Sequence, residues 1–165
     1  MSATPAPTST PAPTPASSAW RAIFWSGLAA GVLDIGYIIV YYLLKNVPAS
    51  AVLQGVAAGA VGRATATKGG MAMAALGLAF HFFIAFCAAA FFYAASRKLR
   101  WLVEKPVLGG LVFGVGVWLF MNLAVLPLSA TPPAKFPSPT WLPVLIAHLV
   151  CVGLPIAFIT RKLAK

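Results

Sequence analysis

Acidic side chains are nearly absent from this sequence, with Asp34 and Glu104 the only two among 165 residues. With only two carboxylates, paired-carboxylate catalysis within one chain is almost excluded. Charge of any sign is also scarce, at 8%, about a third of what a soluble domain carries, so the chain does not read as an ordinary globular fold. Soluble-enzyme signatures are missing too: there is no phosphate-binding glycine loop, no nucleophile elbow and no zinc-protease helix. Ser129, in "LPLSATPP", reads as part of a helix terminator before a proline-rich loop rather than as a nucleophile. Cysteine is limited to Cys87 and Cys151, both inside apolar runs. They read as small packing residues, and a disulfide between them inside a bilayer is not expected. No enzyme activity is expected, and no bound cofactor.

What the chain has in abundance is apolar length. Hydrophobic residues make up 61% of it, and crossing a hydrocarbon core of about 30 Å takes roughly 20 such residues as a helix, because backbone groups cannot face lipid unpaired. Four runs meet that length, over 20–44, 71–96, 107–128 and 141–160. The expected architecture is an all-α integral membrane protein, a four-transmembrane-helix bundle forming a single domain over 20–165. The first nineteen residues, "MSATPAPTSTPAPTPASSA", are Ala, Pro, Ser and Thr with little to bury, and read as a disordered tail. With no basic residue before Arg21 and a first run long enough to span, that run reads as a retained helix rather than a secretory signal.

A net charge of +10 raises nucleic acid as a partner, but the basic residues sit in short clusters at the ends of apolar runs, where topology explains them better. With both termini inside, Arg21, Arg97, Lys98, Arg100, Lys105, Arg161, Lys162 and Lys165 lie on one side, against Lys45, Arg63, Lys68 and Lys135 on the other. The positive-inside rule then favours N-in, C-in in a bacterial cytoplasmic membrane. Trp20, Trp25 and Trp101 near the inner surface, with Tyr41, Tyr42 and Trp141 near the outer one, fit two aromatic belts. The inner turn "RKLRWLVEKP" suits anionic lipid headgroups, at about 1 kcal/mol per basic residue. In the outer loop, Leu53, Val56, Ala57, Ala60 and Val61 recur at helical spacing. They predict a short amphipathic helix, interfacial or re-entrant, with Gly55, Gly59 and Gly62 allowing close packing on the bundle.

Within the spans the strongly polar side chains are Asp34, His81, Asn122 and His148, one per helix. Each lies 12 to 15 residues from the inner end of its span, roughly 18 to 23 Å at about 1.5 Å per residue, so the four are expected to form one polar layer. Gly27, Gly31 and Asp34 share a face, as do the small residues Ala74, Gly77, Ala85 and Ala88 with His81; such stripes are where membrane helices touch. Pro155 cannot donate to the Cys151 carbonyl, which leaves an acceptor near His148. An ionisable group in hydrocarbon costs about 2.5 to 3.5 kcal/mol, so Asp34 needs a proton or a partner, and His81 is expected to hydrogen-bond to Asp34 or Asn122.

Three uses of such a layer compete. It can be polar glue in a structural or accessory membrane component, within a homo-oligomer or a larger complex. It can be a path for protons or small solutes, with Asp34, His81 and His148 exchanging protons. Or His81 and His148 can ligate a haem or, with Cys151, a metal ion, for which no C-x-x-C-H attachment motif speaks. The runs "HFFIAFCAAAFFYAASRKL", "GGLVFGVGVWLFMNLAVLPL" and "LPLSATPPAKFPSPTWLPVLIAHL" resemble a group of bacterial inner-membrane proteins that includes the YagU type, over about residues 75–162. The match rests on His81 before a basic turn, on Thr131, Pro132 and Pro133, and on a following helix with His148; the first helix, around Asp34, matches poorly. The resemblance implies a multi-spanning inner-membrane protein and carries no assigned reaction.

Overall fold

The computed structural model describes residues 15–131 and 138–163, and every regular element among them is helical. Helix α1 runs Pro15–Leu43, α2 Ala49–Val61, α3 Arg63–Lys68, α4 Gly70–Lys98, α5 Trp101–Glu104 and α6 Pro106–Phe120. A wider, π-type stretch, Met121–Val125, leads into α7, Leu126–Leu128. The last span consists of α8, Trp141–Ala147, a second π-type stretch, His148–Gly153, and α9, Leu154–Leu163. Four continuous helices, Ser18–Leu43, Gly70–Lys98, Pro106–Leu128 and Trp141–Leu163, are long and apolar enough to cross a membrane. Large apolar side chains on two of them point outward, with Phe83, Phe91, Phe120 and Leu123 all more than 60% exposed. A water-soluble bundle would cover such a surface; lipid does not require it.

The first span begins at Pro15, so Pro15–Ala19, read from sequence as the end of a disordered tail, belong to a helix. The rest of that tail, together with Pro132, Pro133, Lys135 and Lys165, lies outside the described residues. At the other end of α1 the chain turns at Asn46, whose φ of 60° is a left-handed conformation that Asn tolerates better than most residues.

The segment after the first span folds as two helices. Helix α2 starts behind Pro48 and ends at Gly62, whose φ of 81° and ψ of 151° lie in a region essentially open only to glycine. Ala57, Ala58 and Ala66 are buried there against Val61, Met73 and Leu76, and Gln54 Nε2 donates to the Gly70 carbonyl at 2.9 Å. The close approach to the bundle is not made by the glycines expected to make it. Gly55 has nothing within 4 Å of its Cβ position, and Gly59 meets only Ser129, at 3.8 Å. The contact comes from the other partner: a Cβ on Gly77 of α4 would overlap the Leu53 carbonyl of α2. The Ala130 N–H donates to the Gly59 carbonyl at 2.8 Å, which ties α2 to the end of the third span.

The core lies nearer the end that carries Arg97 and Arg161, where Ala30, Ala89, Phe92, Leu102, Val152, Ile156 and Ala157 pack together. The short helix α5 closes this end against α6, with a Cβ on Gly109 overlapping the Leu102 carbonyl. Spans three and four meet backbone to backbone: a Cβ on Gly110 would come within 2.9 Å of the Gly153 oxygen, and one on Gly114 within 2.6 Å of the His148 oxygen.

Candidate functional site

Helix α1 meets α4 along the Gly27 and Gly31 face read from the sequence, and on α4 the contact is made by His81, Phe82, Ala85 and Phe86. Gly27 lies under the Phe86 ring, and Gly31 under Phe82 and Ala85. Because Gly31 has no side chain, α4 approaches its backbone closely, and His81 Nε2–H donates to the Gly31 carbonyl at 2.9 Å. This corrects the expected pairing of His81 with Asp34 or Asn122. The close backbone approach offers the imidazole a carbonyl with a spare lone pair, and a carbonyl can only accept, so the proton sits on Nε2.

The other two nitrogen-bearing residues turn to their own helices. His148 Nδ1–H donates to the Val144 carbonyl at 2.8 Å, and Asn122 Nδ2–H donates to the Trp118 carbonyl at 2.8 Å. Both residues sit in the π-type stretches, and a proline explains each stretch. The N–H of Leu126, just before Pro127, reaches back five residues to the Met121 carbonyl. That of Leu154, just before Pro155, reaches back to the Leu149 carbonyl. A proline ring collides with the carbonyl four residues earlier in a regular helix, and a wider turn relieves the collision. The freed acceptor expected from Pro155 is therefore part of a local re-winding of the helix, and Pro127 produces the same re-winding around Asn122.

Asp34 is the exception in the layer. Its Oδ1 is buried and makes no hydrogen bond among the described residues, while His81 and His148 both lie within electrostatic reach of its carboxyl, as does Cys151. Asp34 is in this way linked electrostatically to His81, His148 and Cys151. Asn122, in contrast, makes no hydrogen bond to any of the other three predicted residues. The Nδ1 atom of His81 and the Nε2 atom of His148 make no hydrogen bond among the described residues.

The metal-ligating alternative needs His81, His148 and Cys151 drawn together. Among the described residues no three His, Cys, Asp or Glu side chains are grouped closely enough to hold a metal ion. Cys87 and Cys151 are free thiols, Cys87 exposed and Cys151 partly buried. Ser129 caps the third span, its Oγ–H donating to the Leu126 carbonyl at 2.7 Å, as a helix terminator would.

What sequence reasoning overlooked is the seam that holds this region from behind. Gly110 and Gly114 form a Gly-x-x-x-Gly pair on α6 that receives Gly153 and the backbone of His148. The four-residue spacing was a readable signal for close helix contact; the partner surface, on a helix with a single glycine, was not. No family model, curated protein or solved structure matches this chain.

Proposed function

We propose that this protein is a non-enzymatic, structural or accessory component of a bacterial cytoplasmic membrane, with both termini inside, whose polar residues fix the arrangement of its helices. The hydrogen bond from His81 to the Gly31 carbonyl, joining α4 to α1, carries this reading. Hydrogen bonds across helices inside membranes contribute about 0.6 kcal/mol each, whereas His148 and Asn122 direct their N–H groups to carbonyls four residues back on their own helices and set local helix shape. The clustering of basic residues at one end supports the orientation, and the YagU-type resemblance fits the same setting. Gentle purification from native membranes is expected to give a colourless protein with a stoichiometric partner or a fixed oligomeric state. A lone monomer, or a Soret band that disappears in His81→Ala and His148→Ala, would contradict the proposal.

Asp34 favours a second reading, proton-linked movement of a small solute. Each imidazole has committed one N–H to a carbonyl, so a neutral His81 or His148 has no proton left to donate to the Asp34 carboxylate. One additional proton makes the trio of Asp34 and two neutral imidazoles neutral overall. A group that holds one exchangeable proton within hydrocarbon is the usual element of a relay. On this reading Asp34→Asn, which keeps shape and loses the proton, abolishes a pH-driven flux in proteoliposomes while the purified variant remains folded. Transport by the variant at the wild-type rate, or none by the wild type, rules this second reading out.

A further inference from the structure

The end of the bundle that carries Arg97 and Arg161 holds an open cup of about 600 Å³, lined by Ser96, Arg97, Arg100, Glu104, Thr160 and Arg161. Its three guanidinium groups come from separate places: the last turn of α4, the connection to α5, and α9. Glu104 compensates only one of them, through a 3.7 Å contact with Arg100 Nε in which both side chains are largely exposed, an arrangement of little strength. Arg97 and Arg161 make no ion pair among the described residues. The floor is polar and buried: Ser96 Oγ–H donates to the Tyr93 carbonyl at 2.8 Å, and Thr160 is 0% exposed. Among the described residues Thr160 Oγ1 makes no hydrogen bond. A buried hydroxyl left without a partner is destabilising, and this one lies beneath unpaired arginines whose geometry suits phosphate oxygens.

We propose that this cup binds the phosphate group of an anionic phospholipid headgroup, with Arg97 and Arg161 on the phosphate oxygens and the Thr160 hydroxyl donating to one of them. Its place at the end of the spans, beside the exposed indole of Trp101, is the level of headgroups rather than of hydrocarbon. The site is independent of what the polar layer does and requires only that the chain cross a bilayer. It differs from a diffuse attraction to the basic turn in having a floor and a fixed donor.

Native mass spectrometry of the full chain in a neutral detergent tests it, titrating phosphatidylglycerol, phosphatidylcholine and inorganic phosphate. The wild type is expected to retain one phosphatidylglycerol in preference to phosphatidylcholine and not to release it to inorganic phosphate. Arg97→Ala and Thr160→Val are each expected to weaken that binding about tenfold, with Thr160→Ser close to wild type and Lys162→Ala, a neighbouring charge outside the cup, within twofold. Thr160→Val is also expected to unfold no more readily than the wild type without lipid, since it removes an unpaired buried hydroxyl. Unchanged binding in Thr160→Val overturns the proposal. So does an equal loss in Lys162→Ala, which would mean diffuse charge. Inorganic phosphate that fills the cup and excludes the lipid would assign it to a soluble anion and overturn the lipid as its occupant.

Discussion

Gly114→Leu is expected to destabilise the folded bundle by about 3 kcal/mol, the upper range for forcing volume into a packed interior, while Gly116→Leu, two residues away on the same helix, is expected to be neutral or slightly stabilising. The two glycines have the same helix-propensity cost and the same apolar surroundings in sequence. They differ in what a side chain would meet: at Gly114 the His148 carbonyl at 2.6 Å and Leu149 Cα at 2.8 Å, at Gly116 nothing within 4 Å. Backbone cannot rotate out of the way as a flexible side chain can, so the fourth span has to move. Unfolding in mixed detergent micelles measures the difference, and equal stabilities for the two variants would mean that the third and fourth spans do not meet at this seam.

Phe92→Ala is expected to lose about 3 kcal/mol, in the range for truncating a buried aromatic residue, and Phe83→Ala on the same helix well under 1 kcal/mol. Phe92 is 0% exposed and Phe83 66% exposed. The Phe92 ring packs edge-on against Phe113 with centroids 4.9 Å apart and belongs to the cluster that includes Leu102 and Ile156, so it joins α4 to the third and fourth spans. Lipid can fill the space left by Phe83. It cannot reach the cavity left by Phe92, so the dispersion attraction of that ring for its neighbours is not replaced. The same unfolding measurement separates the two, and a Phe83→Ala variant as damaged as Phe92→Ala would mean that the outward face of α4 is covered by protein.

Phe83 and Phe92 also illustrate why so much of the interior was illegible in the sequence. Helix α4 is apolar all round, so periodicity could not say which of its phenylalanines face protein and which face lipid. Small residues were the better guide. Gly27, Gly31 and the stripe through Ala74, Gly77, His81 and Ala85 pointed to real contacts, because only small side chains let membrane helices approach closely. Even there the partner was hidden: Gly77 receives α2, not α1. Gly55 of α2 carried the same signal and faces open space, whereas the Gly59 carbonyl accepts from the Ala130 N–H.

The polar layer divides in the same way. One polar residue per span, at similar depth, could be counted from the chain, and the carboxyl of Asp34 lies within electrostatic reach of His81 and His148. Their hydrogen-bond partners could not be counted. His81 and His148 bond to carbonyls, which every residue carries and which composition therefore cannot single out.

By itself the sequence determined the class and the length scale: four apolar runs, each close to the thickness of a bilayer, with every charged residue but Asp34 outside them or near their ends and almost no acid to build other chemistry. These follow from composition and spacing, because the cost of placing backbone and charge in hydrocarbon accrues residue by residue. Only the tertiary structure decided which carbonyl His81 reaches, that Asp34 Oδ1 has no hydrogen bond among the described residues, how Pro127 and Pro155 re-wind the helices around Asn122 and His148, and that buried Thr160 lines the same cup as Arg97 and Arg161. Each of those depends on how closely backbones and side chains pack in three dimensions, and no local pattern in the chain encodes a distance of that kind.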